Sequence, residues 1–97
     1  MVVAAFLTDL PRQLHKLKEA LKKGNTDEVN LHAHSIKGGA SYLNANLLAE
    51  EAHQAEKLSE IGNLDGVEAI IPRIEIEFTH LKKILKKAYM LDDKPPS

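Results

Sequence analysis

The sequence contains no cysteine and no tryptophan, and it has only two tyrosines and two phenylalanines among its 97 residues. The absence of cysteine excludes a disulfide framework, a thiolate nucleophile and a zinc-thiolate site. The scarcity of aromatic residues argues against strands. A net charge of −1 gives no electrostatic basis for binding nucleic acid or an anionic membrane. No hydrophobic run approaches the length of a membrane span, so we expect no membrane contact.

The chain does contain strong helical periodicity. From Val2 to Lys23, leucines recur at spacings of 3 and 4, which predicts a first helix. Pro11 lies inside this pattern, so we expect the helix to be kinked or split there. Asn25 followed by Glu28 is a variant of the capping box and predicts the start of a second helix, which ends near Leu43.

Two more helices follow. The third is predicted from residue 45 or 46 to residue 61, just before a Gly-Asn turn. The fourth is expected to be capped by Asp65 with Glu68, to continue to about Met90 and to be kinked near Pro72.

Four amphipathic helices with short connections predict an all-α fold, an antiparallel up-down-up-down four-helix bundle spanning residues 1–91. Residues 92–97 show no periodicity, and we expect a disordered tail or linker there. The bundle by itself does not identify a function.

The second helix separates into two faces. One is an apolar seam formed by Val29, Ala33, Ile36, Ala40 and Leu43. The other holds His34, Lys37, Gly38 and Ser41, at positions i, i+3, i+4 and i+7. A packed core does not need this set, and an ordinary solvated face would carry longer charged side chains. We therefore take this second face as the candidate functional site.

The chemistry of this face favours phosphoryl transfer. The imidazole of His34 would be a good nucleophile towards an activated phosphoryl group, and Lys37 would place a positive charge against the phosphoryl oxygens. Gly38 and Gly39 each cost about 1 kcal/mol in a helix relative to alanine. Their missing side chains would let a partner approach His34, although a close helix crossing is another use of small residues. Leu31 would add an exposed apolar contact.

A metal site is the alternative suggested by the histidines and carboxylates. Glu50 and His53 form one Glu-x-x-His pair, but di-iron bundles need two such pairs and two further carboxylates. His32 and His34 point to different faces of a helix and would not chelate one ion together. We therefore predict no metal site.

The second helix resembles the signature of the histidine-containing phosphotransfer (Hpt) domain family. That signature is Ala-His-x-aliphatic-Lys-Gly-small-small-x-x-aliphatic-Gly-Ala, and it is matched here by Ala33, His34, Ile36, Lys37, Gly38, Gly39, Ala40, Leu43 and Ala45. The departure is Asn44, where the family usually has glycine, and asparagine is the next-best residue for a left-handed conformation. The resemblance extends over most of the chain, including the number and lengths of the helices.

The resemblance implies a phosphorelay carrier, which takes a phosphoryl group from an aspartate of one response-regulator receiver domain and gives it to another. His34 would be phosphorylated through Nε2, Lys37 would stabilise the phosphoryl group, and Gly38 would clear space for it. Several family members have a glutamine 22 residues after the histidine, and this position is Glu56. A carboxylate there would accept from Nδ1–H of the histidine and leave Nε2 free. No cofactor is implied.

Partner specificity would then depend on residues around the histidine, among them Asn30, Leu31, Ser41 and Tyr42. The resemblance leaves open a free carrier or a segment of a bacterial hybrid sensor kinase, and the abrupt start and proline-bearing tail favour the second. In either case we expect a cytoplasmic monomer, even where the parent sensor kinase is membrane-bound.

Two rival protein classes also place a histidine on a helix. A histidine-kinase dimerisation hairpin typically has an acidic residue directly after its histidine, whereas Ser35 stands here. The chain also has no glycine-rich ATP-binding domain, so we expect a phosphocarrier and not an enzyme that phosphorylates itself. The other alternative is a bundle that only docks receiver domains. Family members that act only in this way have lost the histidine, so the presence of both His34 and Lys37 argues against this alternative.

Overall fold

A computed structural model of the chain describes the backbone of residues 2–88 and the side chains of residues 5–88. The described residues form four helices and no strand. They are α1 (Val2–Lys23), α2 (Thr26–Tyr42), α3 (Asn46–Glu60) and α4 (Leu64–Ala88). The predicted all-α helical bundle is confirmed. Met90 and the predicted tail of residues 92–97 lie outside the described residues.

Consecutive helices pack against each other across connections of two or three residues. The α2–α3 pair is the most extensive, and α1 and α4 contact each other less than any two consecutive helices do. This pairing is consistent with the up-down-up-down order. Both α1 and α4 continue through an exposed proline, Pro11 and Pro72 respectively. The first helix is therefore a single helix and not two, and the kinks stay predictions. Within the described part of the chain, no helix is long and apolar enough to cross a membrane.

The start of α2 is the one that the sequence predicts. The Asn25 side chain accepts a hydrogen bond from the backbone N–H of Glu28 at 3.1 Å. The following connection, after α2, turns at Asn44, whose φ of 58° is left-handed. Asparagine tolerates this conformation better than most residues because its short polar side chain can hydrogen-bond locally.

The predicted cap of α4 is wrong. Asn63, not Asp65, caps this helix, because its Oδ1 accepts from the backbone N–H of Gly66 at 2.9 Å. The helix begins at Leu64, so Asp65 already lies in the first turn. There its negative charge still interacts favourably with the helix dipole.

The core lies along the four apolar seams. The buried residues of α2 and α3 include four fully buried alanines, Ala33, Ala40, Ala52 and Ala55. Since the distance between packed helices depends on the side chains at their contact, small buried side chains on both helices allow α2 and α3 to lie close together. Two polar residues of α3, Glu56 and Ser59, are also buried. The close approach allows both of them to reach α2.

Candidate functional site

The imidazole of His34 projects from the surface of α2 while one of its nitrogens is held by α3. The side chain is 63% exposed, and its Nδ1 lies 2.5 Å from Oε2 of Glu56. The helical seam of α2 buries its apolar residues on the other side, so the ring stands at the edge of the α2–α3 contact. One ring nitrogen is therefore engaged within the protein, and the ring as a whole is open to solvent.

Glu56 is the centre of the polar cluster. Its side chain is only 10% exposed, and its second oxygen, Oε1, accepts a hydrogen bond from Nζ of Lys37 at 2.7 Å. His53, one turn earlier on α3, places its Nδ1 3.5 Å from the same oxygen. Burying a carboxylate normally costs free energy. Here the cost is offset by the ammonium group of Lys37 and by the contact with the ring of His34.

The ionisation state of Glu56 bears on which nitrogen of His34 can donate to it. The hydrogen bond from Lys37 holds the pKa of Glu56 below its usual value, the contact with His34 acts in the same direction, and burial opposes both. Glu56 is therefore a carboxylate near neutral pH and only accepts hydrogen bonds. For the contact with Nδ1 of His34 to be a hydrogen bond, Nδ1 has to be the donor, and in the neutral ring the lone pair would then lie on Nε2.

The two adjacent glycines of α2 have different surroundings. A Cβ added at Gly38 would meet no atom within 4 Å, whereas one added at Gly39 would lie 2.5 Å from Cε2 of Phe6. Gly39 therefore allows α1 to pack closely on α2, and only Gly38 leaves open space on the exposed side. The expectation that both glycines serve the approach of a partner is wrong for Gly39.

Comparison with known proteins identifies the family of the chain. The Hpt domain family matches residues 1–84. The chain is an Hpt domain. A solved structure, histidine-containing phosphotransfer protein B (HptB) from Pseudomonas aeruginosa PAO1, is similar to it with a TM-score of 0.86 and 31% sequence identity. That match covers 90% of this chain and 76% of the HptB chain. Comparison with curated protein sequences gave no match.

Membership of this family defines the general role of the protein. Hpt domains are phosphocarriers and not kinases, and this Hpt domain has a histidine phosphotransfer role in a phosphorelay. Its partners are the receiver domains of response regulators. Its place in a hybrid sensor kinase, its cytoplasmic location and its monomeric state stay predictions.

The Hpt domain presents three of the four predicted specificity residues to solvent. Leu31 is 58% exposed and Tyr42 is 71% exposed, and Ser41 is exposed as well. Leu31 shares a surface groove with His34, and Ser41 shares another with Lys37. Asn30 differs from these three, because it is half-buried and its amide is engaged with α3.

The Glu-x-x-His pattern in the sequence pointed to His53 only as a metal ligand. The structure places it against Glu56, three residues later on the same helix face. The spacing of i and i+3 was a visible signal of this contact. Among the described residues, no group of three or more histidine or carboxylate side chains is arranged to hold a metal ion. Nδ1 of His32, two residues before His34, lies 3.3 Å from Oε1 of Gln13.

Proposed function

We propose that His34 is the residue that accepts the phosphoryl group and that it does so through Nε2. The observation that carries this proposal is the 2.5 Å contact between Nδ1 of His34 and the buried carboxylate of Glu56. Because that carboxylate requires a proton on Nδ1, the nucleophilic lone pair lies on the other nitrogen. Since the side chain is 63% exposed, the ring is open to the aspartyl phosphate of a docked receiver domain.

The transfer step is a displacement at phosphorus. The lone pair of Nε2 forms a P–N bond, the P–O bond to the receiver aspartate breaks, and the aspartate leaves as a carboxylate. Nδ1 keeps its proton, so the ring acquires positive charge as the bond forms. The negative charge of Glu56, already in contact with Nδ1–H, stabilises that positive charge. Reversal of the same step delivers the group to the aspartate of a second receiver.

Lys37 supplies the charge for the phosphoryl oxygens. Its side chain is 27% exposed, and its ammonium group donates to Glu56 in the unphosphorylated protein. Lys37 lies one turn after His34, and its long, flexible side chain ends in three donors. We propose that it turns from Glu56 towards the phosphoryl group as negative charge arrives beside it.

The surface around His34 accommodates the receiver. Gly38, one turn after the histidine, has open space in front of it, so a partner loop is free to approach the ring there. Leu31 and Tyr42 provide exposed apolar area on the same helix, and Ser41 adds a small polar contact. We propose that these side chains form the docking surface and contribute to the choice of receiver.

The proposal is tested by transfer from phosphorylated receiver domains of the source organism to the wild-type protein and to two variants. His34→Gln removes the proposed nucleophile. His32→Gln is the matched control, because it removes a neighbouring histidine on the same helix. We expect acid-labile, base-stable label on the wild type and on His32→Gln, and none on His34→Gln. Label on His34→Gln would contradict the proposal. Receiver binding without label on any folded form would instead support a binding-only bundle.

A further inference from the structure

Three turns of α2 converge on one residue of α3. Asn30, His34 and Lys37 stand at positions i, i+4 and i+7, which places them on one helix face. His34 and Lys37 contact the side-chain oxygens of Glu56. Asn30 contacts the backbone of the same residue, because its Nδ2 donates to the carbonyl oxygen of Glu56 at 3.3 Å. Glu56 is thus held by α2 at both its carboxylate and its main chain.

Ser59 completes the backbone contact. The amide of Asn30 also donates to Oγ of Ser59 at 3.0 Å, and that hydroxyl donates to the carbonyl oxygen of Glu56 at 2.6 Å. Ser59 is fully buried. We call this arrangement of Asn30, Ser59 and the Glu56 carbonyl the Asn30–Ser59 clamp.

The clamp does more than satisfy a buried hydroxyl. The hydroxyl of Ser59 already donates to an acceptor in its own helix, the carbonyl of Glu56, so it does not need Asn30 to satisfy its hydrogen bonding. What Asn30 adds is a link between helices, directly at the residue whose carboxylate holds His34. A shift of about 1 Å between the two helices would stretch the 2.5 Å contact to the limit of a hydrogen bond, and displacements of this size are sufficient to impair catalytic geometry.

We propose that Asn30 is a positioning residue, which sets α3 against α2 so that Glu56 keeps the proton of His34 on Nδ1. This inference rests on the proposed phosphorylation of His34 and deepens it. It also changes the interpretation of Asn30, because the sequence suggested a direct contact with the receiver. Asn30 acts through Glu56 and does not need to touch the partner.

The test compares Asn30→Ala with Asn63→Ala. Both variants remove one asparagine amide that hydrogen-bonds to the backbone, but Asn63 caps α4 and does not contact Glu56. The first readout is the pair of ¹⁵N chemical shifts of the His34 ring in the free protein, which report which nitrogen carries the proton. The second is the initial rate of phosphoryl transfer from a phosphorylated receiver at a temperature where both variants are folded.

We expect Asn30→Ala to move the His34 shifts away from the Nδ1–H form and to slow transfer roughly tenfold, as is typical when a residue supporting a functional side chain is removed. Asn63→Ala should leave both readouts at the wild-type values. The proposal is overturned if Asn30→Ala leaves the ring shifts unchanged, or if Asn63→Ala alters them equally.

Ser59→Ala is the second variant and keeps the test decisive if Asn30→Ala does not fold. It removes the shorter of the two contacts made by the Asn30 amide, and we expect a smaller shift in the same direction. Unchanged ring shifts in folded Ser59→Ala would then overturn the proposal. The ring shifts are measured without a receiver, so they test the clamp even if wild-type His34 takes no label, an outcome that would refute the proposed function separately.

Discussion

Gly38→Ala should make the protein more stable and its phosphoryl transfer slower. An alanine in a helix interior is about 1 kcal/mol more favourable than glycine, and the new methyl group would meet no atom within 4 Å in the free protein. For a domain of this size, about 1 kcal/mol corresponds to a rise in Tm of roughly 4–8 °C. The same methyl group lies one turn from His34, where the receiver must approach.

The expected loss in transfer follows from packing at that contact. Inserting one methyl group into a well-packed interface costs about 1–3 kcal/mol, which is on the order of a 5- to 150-fold loss in kcat/KM for the receiver. This steric cost arises only in the complex, because in the free protein the added methyl group meets no atom within 4 Å. The free energy of unfolding should therefore rise while kcat/KM for the receiver falls.

Gly39→Ala is the matched control on the neighbouring residue. Its Cβ would lie 2.5 Å from Cε2 and 3.0 Å from Cδ2 of Phe6, so the phenyl ring must shift. An overpacking cost of about 1–3 kcal/mol then offsets or exceeds the helix-propensity gain of about 1 kcal/mol. We expect a net loss in stability of up to about 2 kcal/mol, with transfer by the folded protein close to wild type.

Urea denaturation and initial rates with one phosphorylated receiver measure both effects. The reasoning is refuted if Gly38→Ala transfers at the wild-type rate, since Gly38 would then have no role in receiver access. It is also refuted if the two alanine variants are stabilised equally, because the contact between Phe6 and Gly39 would then have no energetic consequence.

Three further predictions concern the polar cluster and a helix cap. Glu56→Ala should slow transfer on the order of 10- to 100-fold, and Glu56→Gln should slow it less, since an amide oxygen still accepts from Nδ1–H of His34; equal initial rates for the two variants would contradict this role. Folding lowers the pKa of Glu56 from its ordinary value of 4.5. Ionised Glu56 therefore stabilises the folded protein fully above pH 4.5, and this stabilisation is lost as the pH falls through the pKa of Glu56 in the folded state. Urea midpoints between pH 7 and pH 3 should therefore fall more steeply for wild type than for Glu56→Gln, and parallel curves would count against the pairing with Lys37. Asn25→Ala removes the cap of α2 and should cost about 0.5–2 kcal/mol in thermal unfolding with unchanged transfer, whereas an unchanged Tm would show that the cap contributes little.

Much of the fold could be predicted because its signals are local. The spacing of apolar residues marked the helices. Asn25 marked the start of α2 through its capping side chain, and Asn44 marked the end of α2 through a left-handed conformation that asparagine tolerates. The cap of α4 was misassigned because Asp65 and Glu68 have the spacing of a capping box, whereas Asn63, which caps the helix, was interpreted only as part of a turn. The choice between them depends on where the backbone becomes helical, and the capping patterns alone do not fix that point.

The site was predictable where it depends on a family resemblance and not where it depends on tertiary packing. The resemblance pointed to Glu56 as the neighbour of His34, and the structure places them in contact, although their roles stay predictions. The different surroundings of Gly38 and Gly39 depend on where Phe6 of α1 lies, which no pattern within α2 reveals. The link from Asn30 to α3 likewise depends on the relative position of two helices.

The central claim is that Glu56 holds the proton on Nδ1 of His34 and leaves Nε2 as the phosphoryl acceptor. The most direct measurement is the long-range ¹H–¹⁵N spectrum of the histidine rings, recorded on ¹⁵N-labelled protein before and after transfer from a phosphorylated receiver. We expect His34 to start in the Nδ1–H form and only its Nε2 to change to the shift of a phosphorylated nitrogen. A phosphoryl group on Nδ1 of His34, or on any other histidine, would contradict it.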